Sequence, residues 1–187
     1  MKENNEKTSL RKLLLGKRDS LSADFIDIAS KKIQKNLKNI QDYHVAKTIA
    51  AYYSIGSEVR THDILQDILS TGKTLALPRV EDDHLVFCNV SRFEDLEKGE
   101  FGIMEPKQNC SQLSKFDVIL VPAIAMTKDG QRLGYGRGFY DRFLADKKST
   151  TIALTYSKFV VKNIPFSEND IRVRWVVTED KIISSDI

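Results

Sequence analysis

The 187-residue chain is poor in cysteine, proline, histidine and tryptophan, with two, four, three and one respectively. Two cysteines, Cys88 and Cys110, stand 22 positions apart with no CxxC or histidine-rich spacing. That excludes a disulfide scaffold and a structural zinc site, and fits reduced thiols. Cys88 lies in the apolar stretch HLVFCNV and is expected to pack there, while Cys110 follows a polar loop with no neighbour that marks a nucleophile. His44, His62 and His84 share no motif and read as surface or capping residues. The longest apolar stretch, Val118 to Met126, is nine residues broken by Pro122, too short to span a bilayer. The opening MKENNEKTSLRKLLLGKR has only a three-leucine run among charges, so no signal peptide is expected and the chain is expected to be cytoplasmic, away from membranes. Neither sign of charge dominates: 29 basic and 26 acidic residues leave +3, spread along the chain, which gives no support to a nucleic-acid partner.

What is present is a globular composition, 41% hydrophobic and 9% aromatic, enough for one compact domain over residues 1–187. The charge is uneven: up to Lys47 there are 11 basic against 6 acidic residues, so this first quarter is expected either to meet an anion or to be a solvated helical face. Leu10, Leu13 and Leu14 recur at helical spacing, as do Ile26, Ala29, Ile33, Leu37 and Ile40 after Ser22, an N-cap followed by Asp24. Residues 1–40 thus read as N-terminal helices, and Lys7 and Arg11, four apart, share a face of the first. TIAAYYSI then reads as a strand, HDILQDILSTG as a helix, and TLALPRV with HLVFCNV as two strands around Glu81, Asp82 and Asp83. FDVILVPAIAMT is an unalternated apolar run, as expected of a central strand covered on both faces. TTIALTY and VRWVVTED add further strands, and Ser91 to Ser114 reads as an excursion with one helical turn near Phe93. Strands alternating with helices imply an α/β fold, three-layered and Rossmann-like, with a mostly parallel sheet and helices on both faces.

Glycine is scarce too, nine residues or about 5% against a usual ~7%, yet four of the nine lie between Gly130 and Gly138. They fall just after the best central strand, where open α/β sheets bind ligands. In DGQRLGYGRGFYDRF, glycines at 134, 136 and 138 let backbone N–H groups approach a polyphosphate, and the helix that begins there adds its positive end. Gly130 reads as a turn glycine. Arg132 and Arg137 add cationic donors, and Asp141 in the first helical turn is placed to hold Mg²⁺ against phosphates or simply to complement the helix dipole. The loop is neither the GxGxxG dinucleotide fingerprint nor a Walker loop.

RLGYGRGFYDRF resembles the signature of the 5-formyltetrahydrofolate cyclo-ligase family, whose loop also follows an apolar strand with a proline-containing turn. KTSLR, YYSIGSEVRT, LALPRV, GIMEP and ENDIRVRWVVTED resemble the same family in the same order. The resemblance implies ATP- and Mg²⁺-dependent closure of 5-formyltetrahydrofolate to 5,10-methenyltetrahydrofolate, with ADP and phosphate released. It further implies that Lys7, Arg11 and the segment Arg132, Leu133, Gly134, Tyr135, Gly136, Arg137, Gly138, Phe139 and Tyr140 bind ATP. Of these, Arg137, Arg132 and Tyr140 serve the chemistry, with Arg137 reaching the transferring phosphoryl group. Asp141 and Asp170 are the implied metal carboxylates. Tyr53 and Glu58 contact the folate, Glu58 accepting from the pterin N–H donors, with Tyr135, Phe139, Phe101 and Met104 as further folate neighbours. The chain departs from the family at Arg174, where an aspartate is frequent, and at Phe139, where a tyrosine is frequent. Small-molecule substrates and a monomer or weak homodimer are expected. A non-catalytic nucleotide- or folate-binding module using the same loop is the alternative, and an RNA-associated domain using the basic first quarter is a third reading.

Overall fold

The computed structural model describes residues 2–99 and 102–185. The chain opens with α1 (Lys2–Asp19) and α2 (Ala23–Leu37). Ser22 caps α2 by accepting the Phe25 N–H at 3.2 Å, and Ile26, Ala29, Ile33 and Leu37 form its buried stripe. On α1 Leu14 is buried and Leu10 packs partly buried against the core, but Leu13 is 54% exposed, and Lys7 and Arg18 are buried alongside Leu14. Residues 7, 11, 14 and 18 follow one another at helical spacing, so α1 turns a largely cationic stripe inward. At Lys7 this overturns the reading of a solvated lysine.

After α3 (Gln41–Val45), a short helix not expected from the sequence, β1 (Thr48–Ala50) enters the sheet. It is followed by α4 (His62–Ser70) and the hairpin of β2 (Thr74–Glu81) with β3 (His84–Val90), in which Glu81 pairs with His84 across Asp82 and Asp83. The excursion that follows holds a 3₁₀ turn at Phe93–Asp95, a ribbon of β4 (Leu96–Lys98) with β5 (Met104–Pro106), and then β6 (Gln112–Leu113). All five residues of β7 (Val118–Pro122) are buried. The apolar run does not continue as one strand. Pro122, which has no N–H to donate, ends the ladder, and β8 (Ala125–Met126) pairs instead with β9 (Arg132–Leu133) outside the main sheet. Then come α5 (Phe139–Leu144), β10 (Thr150–Leu154), β11 (Trp175–Val177) and β12 (Ile182–Ser184).

The main sheet has the order β12-β11-β10-β7-β1-β2-β3-β6. From β11 to β2 every pairing is parallel, while β12, β3 and β6 extend the edges antiparallel. The helical layers are unequal. α2, α3 and α4 cover one face over a core that includes Ile33, Leu37, Ile49, Ile64 and Ile68, and the other face carries the short α5, whose Phe143 stacks on Phe87 at 4.4 Å between ring centres. Gly130 does more than turn the chain. With φ of 84° it packs so closely that a Cβ would collide with the Val173 carbonyl, and the Val173 N–H donates to the Gly130 carbonyl at 2.9 Å. Among the described residues no helix is long and apolar enough to cross a membrane.

Candidate active site

A cavity of about 490 Å³ opens beyond the carboxyl ends of β1, β2 and β7, bounded by α1 on one side and the glycine-rich loop on the other. It brings together Lys7, Arg11, Tyr53, Glu58, Met104, the whole segment from Arg132 to Asp141, and Asp170. Phe101 lies outside the described residues.

One end is cationic. Lys7 Nζ pairs with the Asp170 carboxylate and donates to Ser167 Oγ at 3.3 Å. Arg11 Nε donates to the Gly134 carbonyl at 2.8 Å, which fixes the loop against α1. Gly136 has φ of 99°, a conformation that favours glycine, and a Cβ there would press on the Arg11 guanidinium carbon at 3.2 Å. Arg132 pairs with Asp141 at 2.9 Å and leans over the Tyr140 ring, but its Nε is buried with no hydrogen-bond partner among the described residues. Burial works to raise the Asp170 carboxyl, yet Lys7 and the Ser167 N–H more than offset it and leave it below the usual range. The helix after the loop contributes less than its sequence suggests, because α5 has six residues and so fewer than two turns of aligned dipoles.

The other end is apolar with one buried acid. Pro78, Val80, Leu85 and Met104 give it hydrocarbon walls, and Tyr53 meets His62 edge-on while His62 stacks on Phe93 at 4.5 Å. Glu58 is 5% exposed. One of its oxygens accepts the Tyr135 hydroxyl at 2.5 Å and the other the Ile55 N–H at 2.8 Å. Burial pushes its carboxyl above the usual range, against the pull of Tyr135, Ile55 and Arg18. Burial and the charge of Glu58 also raise the hydroxyls of Tyr135 and Tyr140, which keeps them protonated donors at neutral pH.

Asp141 and Asp170 both line the cavity, each paired with a cation, Arg132 and Lys7 respectively. Among the described residues no cluster of three or more His, Cys, Asp or Glu is poised for a metal. Two carboxylates suit a Mg²⁺ ion that takes its remaining ligands from water and from substrate phosphates. The sequence reading missed Arg18, Tyr52, Leu85 and the buried Glu105, which also shape the site or its support. For Arg18 the signal was available: it lies 11 residues, about three helical turns, beyond Lys7 on the same face.

A sequence profile of the 5-formyltetrahydrofolate cyclo-ligase family matches residues 3–179. The chain belongs to this family. It is 30% identical to a 5-formyltetrahydrofolate cyclo-ligase of Haemophilus influenzae, over 88% of this chain and 91% of that protein. It is 28% identical to the mouse protein of the same name, over 95% of each. The solved structure of 5,10-methenyltetrahydrofolate synthetase from Aquifex aeolicus has the same fold, with a TM-score of 0.87, 34% identity, and coverage of 97% of this chain and 93% of that one.

Proposed function

We infer that this cavity closes the ring of 5-formyltetrahydrofolate at the expense of ATP. The observation that carries this is a single enclosure with four cations and an alternating-glycine loop at one end, and an apolar wall around a buried carboxylate at the other. A formamide oxygen leaves poorly. The γ-phosphoryl group of ATP is therefore transferred to it with loss of ADP, folate N10 attacks the activated formyl carbon and gives up its proton to solvent, and phosphate departs to leave the methenyl product. No protein nucleophile is needed, so the chain supplies alignment and charge.

Lys7 and Arg11 from residues 1–40 hold the phosphates from one side, and the loop from Arg132 to Tyr140 holds them from the other. This makes residues 1–187 one catalytic unit. Arg137, exposed at the loop's crest, is the donor for the phosphoryl group in transit, and Arg132 and Tyr140 stabilise the same charge from beneath. Asp141 and Asp170 would hold Mg²⁺, which neutralises phosphate charge when bound. Glu58 accepts from the pterin N–H groups, with Tyr53, Met104, Tyr135 and Phe139 around the ring system. The test is to mix the protein with 5-formyltetrahydrofolate, ATP and Mg²⁺ and follow the methenyl absorbance. Folded protein that binds both substrates without forming the product would instead be a binding module.

A further inference from the structure

Arg18 is a buried arginine, 4% exposed, that does not line the cavity. It lies behind Tyr135 with every branch of its guanidinium engaged. Nε donates to Ser57 Oγ at 3.0 Å, one terminal nitrogen to the Ala123 carbonyl at 3.1 Å, and the other to the Tyr135 hydroxyl at 2.6 Å. Each hydroxyl passes the contact on to an acid: Tyr135 donates to Glu58, and Ser57 donates to Asp19. One planar fork thus grips the residue next to Glu58 in the chain and the tyrosine that touches the Glu58 carboxylate. Tyr135 also stands between Gly134 and Gly136, so the same side chain belongs to the folate end and to the phosphate loop.

We propose that Arg18 is a positioning residue that locks these two ends of the cavity into one geometry, acting through the Tyr135 hydroxyl on Glu58 and through the Tyr135 backbone on the loop. This rests on the cyclo-ligase reading of the cavity. Nothing at the same position does this work equally well. A lysine carries the charge as a single point and cannot serve three acceptors in a fixed plane, and a glutamine lacks the charge. Around Glu58 stand Arg18 from α1, Tyr135 from the loop, Tyr140 from α5 and Tyr52 after β1, with the Tyr156 hydroxyl on the Glu58 backbone carbonyl at 2.9 Å. All four tyrosines are raised from their ordinary value by burial first and then stay neutral where a carboxyl titrates. Arg18 is the charge in this set that favours the ionised carboxylate.

A second consequence follows from the shared tyrosine. A folate seated on Glu58 sets the Tyr135 hydroxyl and, because Arg18 ties that hydroxyl to α1, sets the loop that carries it, so a nucleotide meets a loop already placed; without Arg18 that tie is cut. Each then tightens the other by the same factor, as linkage requires.

The test measures the dissociation constant of 5-formyltetrahydrofolate by calorimetry, with and without a non-hydrolysable ATP analogue and Mg²⁺, together with the acid limb of kcat/KM. The wild type should show mutual tightening. Arg18→Gln should weaken folate binding about tenfold, reduce the mutual tightening to less than twofold, and move the acid limb to higher pH. Tyr135→Phe should do the same, and the double variant should be no worse than the more affected single one. Arg18→Lys should return most of the acid limb while the coupling stays lost. The proposal is overturned if the two single effects multiply, or if Arg18→Gln lowers the melting temperature and leaves the affinity, coupling and acid limb unchanged. Should Arg18→Gln fail to fold, Arg18→Lys and Tyr135→Phe decide it alone: coupling retained in either overturns it. Wild-type protein that binds both ligands with coupling but yields no methenyl product would refute the enzyme reading and leave the Arg18 assignment to be judged on binding.

Discussion

Burial and charge pull in opposite directions at Glu58. A carboxylate enclosed by tyrosines and apolar walls is costly unless each oxygen is occupied, and here one takes a phenol and the other a backbone N–H. Glu58→Gln keeps the shape and removes the charge. We expect it to raise the KM for 5-formyltetrahydrofolate about tenfold and to change the KM for ATP less than threefold, in steady-state assays with the other substrate saturating. Equal rises in both constants would remove Glu58 from the folate end. Asp141 poses the reverse problem, because its partner Arg132 is a buried guanidinium with its Nε already unsatisfied. Asp141→Ala leaves that charge without its carboxylate, and should cost about 2 kcal/mol in urea unfolding as well as at least 100-fold in kcat. Asp141→Asn separates the two roles: it retains an acceptor for Arg132, so stability should largely return while turnover does not.

Secondary-structure elements meet the site through a few fixed points, and two of these can be tested away from the chemistry. Asp117, just before β7, accepts the N–H groups of Lys47 and Thr48 at 2.8 and 2.9 Å and so sets the start of β1. Those backbone bonds hold its carboxyl below the usual range. A depressed carboxyl stabilises the fold above its unfolded value and loses that contribution as pH falls through the folded one. Asp117→Ala should therefore cost about 1 kcal/mol at neutral pH, and the gap to wild type in urea melts should close as the pH is lowered through the carboxylate range below 3.8. Gly130→Ala places a Cβ against the Val173 carbonyl at positive φ and should cost about 2 kcal/mol or more while sparing kcat of the folded fraction. Periodicity made some elements legible and hid others. α2 and α4 were readable because their apolar positions recur with the helical period, the hairpin because two short apolar runs flank a charged turn, and β7 because its apolar run is unbroken. β12 and α3 were not, because three strand residues or five helical ones hold only about one and a half repeats of their period, too few to establish a pattern. The cations on the inward face of α1 escaped for a different reason: Lys7 and Arg18 count as polar in any hydrophobic pattern, so Leu10 and Leu14 marked the face without showing what else lies on it.

Across the whole molecule, the cavity is assembled from distant stretches of chain, with α1, the loop and the segment around Asp170 meeting through Lys7–Asp170, Arg11 on the Gly134 carbonyl, and Arg132–Asp141. That convergence could not be read from spacing, since 163 residues separate Lys7 from Asp170. It was the ordered run of family-like motifs that pointed to it. The assembled end carries four cations, Lys7, Arg11, Arg132 and Arg137, and two carboxylates, Asp141 and Asp170, a surplus of two positive charges. A magnesium–ATP complex, with roughly two negative charges, matches that surplus. Free ATP, with roughly four, brings two uncompensated charges toward the same two carboxylates, and phosphates must also draw Lys7 and Arg132 away from them. Chelating the metal with EDTA should therefore weaken ATP binding at least tenfold in calorimetry. Converting both acids, Asp141→Asn with Asp170→Asn, removes the repulsion and the metal ligands together. The double variant should bind metal-free ATP more tightly than the wild type does, and added Mg²⁺ should no longer help. Wild-type protein that binds ATP equally with and without EDTA would show that these carboxylates face something other than a metal-bridged phosphate.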